Sequence, residues 1–296
     1  MLNYRGDRTA RLIANIVMTV LSVCALLPFL LLVGASFTEE KAAVLNGFSI
    51  IPSQFGLGAY QYILKEFGTI GRAYLITIVV TVVGTALSMT ITTLMAYALT
   101  KRVPGVKILN FLVIFTMLFN GGLVPTYYVY SNILRVKDTI WALIVPGLLM
   151  NAFSIMLVKN YFRTAIPKEL LESAKMDGAG QATVLTKIVL PLSTPILATI
   201  GINSALAYWN DWTNGLYYLT DTRLFSLQTI LNKINENVQF LANNSDKLSG
   251  IVNTSDLPTT TMRMAVAVIG ILPVVFIFPF FQKYFIKGIT IGAVKG

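Results

Sequence analysis

The feature that most constrains this chain is a set of six apolar stretches, each long enough to cross a bilayer. They run roughly over residues 12–36, 73–99, 108–130, 139–158, 189–208 and 264–282, and a hydrocarbon core of roughly 30 Å needs about 20 apolar residues in helix. Lipid offers no hydrogen bonds, so the backbone of such a stretch must satisfy itself, as an α-helix does. The reading is an all-α polytopic membrane protein: one domain over residues 1–296, six transmembrane helices, both termini on one side. Composition agrees, with 55% hydrophobic and only 12% charged residues and a mean hydropathy of +0.70; soluble domains carry about a quarter charged residues. The first stretch follows "NYRGDRTAR" without a small-residue cleavage site and reads as an anchor rather than a removed signal peptide. Gly and Pro interrupt several stretches ("NGGLVP" at 120–125, Pro146, Pro195, Pro273, Pro279), breaks that membrane helices tolerate where neighbours satisfy the freed backbone groups.

Charge sets the orientation. Placing both termini inside puts fourteen of the 23 basic residues there against four of the 13 acids (Asp7, Glu169, Glu172, Asp177), leaving nine of each outside. The whole surplus of +10 then lies on one face, as the excess of Lys and Arg in short cytoplasmic loops predicts. The basic balance therefore reads as topology, with anionic lipid or an acidic partner surface as secondary contacts, and not as nucleic-acid binding. The chain is expected to cross a membrane several times.

Several function classes drop out. The chain has no histidine, and Cys24 is its only cysteine, which removes disulfides, the usual zinc ligand sets and His-based acid–base or nucleophilic chemistry. Cys24 lies in an apolar run and reads as a small buried hydrophobe. No G-x-x-x-x-G-K-[ST] loop is present, so nucleotide is not hydrolysed by that route. No catalytic residue, metal site or cofactor held by this chain is expected. The cores of the last five stretches contain no Asp, Glu, Lys or Arg, whereas ion-driven transporters usually keep such residues at the midplane. Energy must come from another subunit, or the chain forms a passive pore.

Two outer segments and one inner loop carry the polar sequence. Residues 38–72 read as a loop with a short helix near 58–66. The long external loop, 209–260, opens "WNDWTNGLYYLTDTR" and places Leu227, Ile230, Leu231, Ile234, Val238 and Leu241 at helical spacing. That amphipathic helix packs on its own loop, on the lipid interface or on an external protein. In the inner loop, 163–188, Pro167 suits the first turn of a helix. Leu170, Leu171 and Ala174 form an apolar patch, and Gly178 stands where a left-handed C-terminal cap belongs. The loop is thus a helix, a glycine elbow and a second helix climbing through Ile188 and Leu190-Pro191 into the fifth stretch. Its charges, Glu169 and Glu172 beside Lys168 and Lys175, either pair among themselves or serve docking.

Glu172-Ser173-Ala174, three residues, Gly178, nine residues, Ile188, one residue and Leu190-Pro191 resembles the "EAA" signature of ATP-binding-cassette importer permeases (E-A-A-x3-G-x9-I-x-L-P). The one departure is Ser173 for the first Ala. "FRTAIPKELLESAKMDGAG", "WND" at 209–211 and the terminal "FFQKYFIKGITIGAVKG" extend the likeness to carbohydrate-uptake, maltose-type permeases over essentially the whole chain. The resemblance implies a type I importer permease fold with cytoplasmic termini. It implies a second permease subunit that completes the pore, two cytoplasmic ATPases that hold ATP and Mg, and an external solute-binding protein. By the same likeness 167–178 is the coupling helix, with Glu169, Glu172, Ser173, Ala174, Asp177 and Gly178 at the ATPase. Ile188, Leu190 and Pro191 would join that helix rigidly to the fifth span.

The tail at 283–296, with Lys287, Gly288, Lys295 and Gly296, would reach the ATPases. Tyr127, Tyr128, Asn203, Tyr208, Trp209, Asn210, Asp211 and Trp212 are candidates for contact with an oligosaccharide, the expected solute; each is also a residue type that packs helices or lines the membrane interface. The "FNGGLVPTYYVYSNIL" stretch and the tail look most like permeases for larger or acidic oligosaccharides. An importer for amino acids or polyamines would share the inner motif, and a stand-alone secondary transporter is disfavoured by the charge-free stretches.

Overall fold

A computed structural model describes residues 4–65, 67–101, 103–243 and 259–293. In chain order its helices are α1 (Tyr4–Ser36), α2 (Glu40–Asn46), α3 (Gly58–Lys65), α4 (Phe67–Ala98), α5 (Val106–Leu118), α6 (Leu123–Tyr128), α7 (Trp141–Ile144), α8 (Ala152–Thr164), α9 (Lys168–Met176), α10 (Gln181–Val184), α11 (Leu190–Leu192), α12 (Thr194–Trp209), α13 (Thr213–Tyr218), α14 (Leu227–Asn243) and α15 (Thr259–Ala293). Among the described residues there is no strand, only one antiparallel bridge between Thr38 and Phe55.

Among the described residues, two helices are long and apolar enough to cross a bilayer unaided, Thr9–Ser36 and Phe67–Ala98, and the bent pair Gln181–Leu192 and Thr194–Trp209 makes up to three. Of the other expected stretches, 264–282 lies within the single helix α15, and two are broken. Residues 108–130 divide into α5 and α6 around Asn120–Gly122, where Gly122 takes a left-handed φ of +86°. Residues 139–158 divide into α7 and α8 around Pro146-Gly147. The fifth stretch begins later than its hydropathy suggests, because the chain turns by 82° at Ser193 and α12 starts at Thr194.

The described chain forms two compact units, residues up to Ile70 with Leu231–Pro273, and Gly71–Ile230 with the residues from Val274 onward. In the first, residues 9–31 of α1 are exposed along their length. Cys24 is therefore exposed and not the buried hydrophobe its neighbours imply, since no described residue buries that part of α1. The C-terminal end of α1 is packed instead. Phe37 stacks on Phe55 and Tyr60 at 5.5 and 5.0 Å, and Ser36 Oγ shares a 2.9 Å hydrogen bond with the Tyr60 hydroxyl. The Glu40 carboxylate accepts from the backbone N–H groups of Thr260 and Thr261, at 3.0 and 2.9 Å, and from the Thr261 hydroxyl. An acid thus meets the donor-rich start of α15, where the helix dipole favours negative charge.

The second unit holds two apolar cores. One gathers Tyr97, Leu99, Val113, Ile155, Val158, Phe162, Ile166, Val184, Leu185 and Val189. The other gathers Val80, Leu143, Ile144, Tyr208, Tyr218, Leu219 and Phe225. Gly84 lets α4 and α12 meet in the second unit, since a Cβ there would lie 2.6 Å from the Tyr208 ring. The carboxylate of Asp138 accepts from Thr220 N, Thr220 Oγ1 and Asp221 N, tying the segment before α7 to the one after α13.

Candidate coupling site

The inner loop is built from its ends inward. Pro167 is extended (φ −60°, ψ 134°) and caps α9 without itself being helical, one position earlier than the spacing suggests. The helix ends on a complete left-handed stop: Gly178 has φ +77°, its N–H donates to the Lys175 carbonyl at 3.0 Å, and Ala179 N–H donates to the Ala174 carbonyl at 2.9 Å. These two bonds define a Schellman turn, which satisfies carbonyls a helix end would otherwise leave unpaired.

This elbow is fastened to the core. Leu171, Ala174 and Ala179 pack against the cluster around Phe162, Ile166 and Val184. The Tyr97 hydroxyl, arriving from the end of α4, donates to Gln181 Oε1 at 2.9 Å. The Lys101 ammonium sits 3.8 Å above the same Tyr97 ring. Of the expected apolar patch, then, Leu171 and Ala174 face inward, while Leu170 is exposed. Ala174 is not free to receive another backbone; Ser173 is.

What α9 presents outward is mixed in character. Glu169, Glu172, Ser173, Asp177 and Gly178 are exposed, Leu170 is 42% and Met176 89% exposed. No ion pair joins Glu169 or Glu172 to Lys168 or Lys175 among the described residues. Met176, exposed at the end of α9, was not among the positions expected from the sequence. Its only signal was an apolar side chain immediately before the cap.

Beyond the elbow, the turn Leu185–Val189 is a π-helix, in which Leu190 N–H donates to the Leu185 carbonyl. The widened turn falls just ahead of Pro191, whose ring has no N–H and would clash with the carbonyl four residues earlier in a regular helix. Ile188 and Leu190 are half-buried and Pro191 is exposed. The link to α12 is therefore a fixed corner, with Ser193 wholly buried at its vertex and the Ser193 N–H bonded to both Val189 and Leu190 carbonyls.

The remaining expected positions are dispersed. Tyr208 is 2% exposed, and its hydroxyl donates to the Ile144 carbonyl at 2.9 Å. Trp209 is buried edge-on to Tyr74 at 5.8 Å. Tyr127 is half-buried and stacks on Tyr218 at 5.5 Å. Tyr128, Asn203, Asn210 and Trp212 are exposed. Asp211 Oδ1 accepts from the Thr213 hydroxyl at 2.8 Å and from Asn214 N–H at 3.3 Å, fixing the start of α13, and burial pushes its carboxyl above the ordinary carboxylate range. Lys287 and Gly288 lie within α15, which runs on to Ala293, so that part of the tail continues the last helix. Lys295 and Gly296 lie outside the described residues.

Residues 98–291 match the family model described as a binding-protein-dependent transport system inner membrane component. The chain belongs to this family. The permease is 41% identical over 276 residues to the polygalacturonan/rhamnogalacturonan transport system permease protein YtcP of Bacillus subtilis, covering 93% of this chain and 94% of the relative. It is 30% identical over 283 residues to the arabinooligosaccharides transport system permease protein AraQ of Halalkalibacterium halodurans, covering 92% of each. Its fold matches a chain in the crystal structure of a bacterial ABC transporter involved in the import of the acidic polysaccharide alginate, with TM-score 0.78 and 30% identity over 96% of this chain and 99% of that one. The permease's elbow, its corner at Ser193 and both cores of its second unit all fall within the family-matched residues apart from part of α4.

Proposed function

We propose that this permease, with a second homologous permease, forms the pathway of an ATP-driven oligosaccharide importer. An external binding protein delivers the solute, and two cytoplasmic ATPases drive alternating access. The observation that carries the coupling role is the elbow itself: α9 leaves Glu172 and Met176 exposed, while Leu171, Ala174 and the Tyr97–Gln181 bond hold it to the helices behind it. A push on α9 is then delivered through the π-turn and the Ser193 corner to α12. In the cleft of an ATPase, Glu172 would be desolvated opposite a cation, where losing either partner strands the other.

On this reading six segments cross the membrane, the third and fourth as broken helices, with both termini in the cytoplasm of a bacterial cell. Exposed Asn203, Asn210, Tyr128 and Trp212 are the side chains assigned to sugar, and buried Tyr208 and Trp209 hold α12 in place beneath them. ATP and Mg belong to the partner ATPases, and no catalytic step is assigned to this chain. The solute class is an acidic oligosaccharide, supported by the relative named for polygalacturonan and rhamnogalacturonan transport and by the alginate importer. The test is uptake by proteoliposomes holding both permeases, the ATPases and the binding protein, offered oligogalacturonate or a neutral glucan of equal length. ATP-dependent uptake of the acidic sugar alone supports the reading; uptake of the neutral glucan instead would overturn the solute class.

A further inference from the structure

α5 and α8 meet at a place where cations gather with no acid beside them among the described residues. Lys159 on α8 donates its ammonium to Asn110 Oδ1 on α5. That bond leaves the Asn110 amide NH2 unpartnered among the described residues. Arg163, one turn beyond Lys159, and Lys107, one turn before Asn110, are both exposed. No acid pairs with Lys107, Lys159 or Arg163 among the described residues. Like charges one turn apart on a helix repel, so Lys159 and Arg163 on the same face call for an anion that the chain does not supply.

The surface beyond the cluster narrows the anion's identity. From Lys107 an exposed ridge of Phe111, Phe115 and Phe119 runs up α5, one helical turn per ring, with the rings stacked at 6.0 and 5.2 Å. Phe111 is 64% exposed. A small hydrophilic anion would use the cations and ignore the ridge. An amphiphile with a charged head and hydrocarbon tails matches both.

We infer that Lys107, Asn110, Lys159 and Arg163 form a headgroup site for an anionic phospholipid of the inner leaflet, with its acyl chains along the Phe111–Phe115–Phe119 ridge. The placement rests on the proposed topology, which puts the start of α5 and the end of α8 at the cytoplasmic surface. There basic pockets between helices are the usual recognition element for anionic lipid. Three cations and an amide supply donors to a phosphodiester, and the lack of a carboxylate in the cluster among the described residues disfavours a zwitterionic head, whose ammonium would meet no acid. The lipid would brace the base of α8, the helix that leads directly into α9.

The test is native mass spectrometry of the full importer, exchanged into detergent and titrated with phosphatidylglycerol against phosphatidylcholine. The expected result is one tightly held phosphatidylglycerol per copy of this permease, resistant to competing phosphatidylcholine. Affinity should fall about fivefold for each of Lys107→Gln and Arg163→Gln, from the roughly 1 kcal/mol that each cation near an anionic surface contributes. Lys187→Gln, which removes an equally exposed inner cation, should leave that lipid in place. Equal retention of the two lipids, or unchanged affinity in the double variant, would overturn the site. Displacement by millimolar inorganic phosphate would also overturn it, assigning the cations to a free anion. Topology is read separately: Lys107→Cys in a Cys24→Ala background should label from the cytoplasmic side. Labelling from the outer side would bring down the topology, whereas inner labelling with no lipid selectivity would bring down the lipid site alone.

Discussion

Gly178 isolates the elbow from everything around it. Its φ of +77° lies in the left-handed region, and a Cβ built at this position meets no atom within 4 Å. Substitution therefore adds no clash, and the whole cost is conformational. For an L-residue held in the left-handed region that cost is about 1–2 kcal/mol, or roughly 5- to 30-fold in the equilibrium constant for forming the elbow. Asn tolerates this conformation better than Ala, and β-branched Val worse. Coupled transport should thus fall in the order Gly, Asn, Ala, Val, with membrane insertion and expression unchanged. The assay is solute-stimulated ATP hydrolysis in the reconstituted importer, alongside hydrogen exchange of the Lys175–Gln181 amides. Faster exchange and weaker stimulation should appear together. If Ala and Val match Gly in both readouts, the elbow does not depend on a left-handed residue and the reasoning fails.

Tyr97→Phe removes the 2.9 Å bond to Gln181 Oε1, a loss of about 1 kcal/mol; amide exchange in 179–189 should quicken while the core ring packing persists. Met176→Ala should change the permease's own stability by less than about 0.5 kcal/mol, as expected for an exposed site, yet weaken ATPase binding measurably by co-purification or light scattering; unchanged binding would exclude Met176 from the interface. The Asp138 carboxyl is held down at about 2, from 3.8, chiefly by the backbone N–H groups of Thr220 and Asp221 and then by the Thr220 hydroxyl. Because its folded value is depressed, its contribution is fully present above the unfolded value and is lost as pH falls through about 2. Protection of the Thr220 and Asp221 amides should be flat from neutral pH down to about 4 and then collapse, and Asp138→Asn should remove that acid dependence. Gly84→Ala pushes a methyl against the Tyr208 ring, an overpacking of about 1–3 kcal/mol, visible as a lowered melting temperature.

Local chemistry was legible in the sequence and non-local geometry was not. Gly178 announced its turn because left-handed backbone selects glycine. Pro167 announced a helix start to within one residue. The amphipathic α14 followed from its spacing, although residues 244–258 of the same outer loop lie outside the described set. Which of Leu170 and Leu171 faces the core could not be read, since adjacent apolar residues differ only in the phase of a short helix. The 82° corner at Ser193 was hidden because hydropathy runs smoothly across "VLPLSTPIL". Tyr97–Gln181 and Asp138–Thr220 join residues 84 and 82 apart in sequence, pairings that periodicity does not encode. The basic cluster on α5 and α8 appeared only as unrelated inner charges until the fold brought Lys159 to Asn110.

The most direct test of the account is solute uptake into proteoliposomes, measured for this permease alone and for the assembly with its partner permease, ATPases and binding protein. The account predicts no uptake by the chain alone, ATP-dependent uptake by the assembly, and loss of that uptake when Glu172→Lys is introduced into a chain that still inserts. Uptake by the chain alone, or normal ATP-driven uptake with Glu172→Lys and Gly178→Val together, would contradict it.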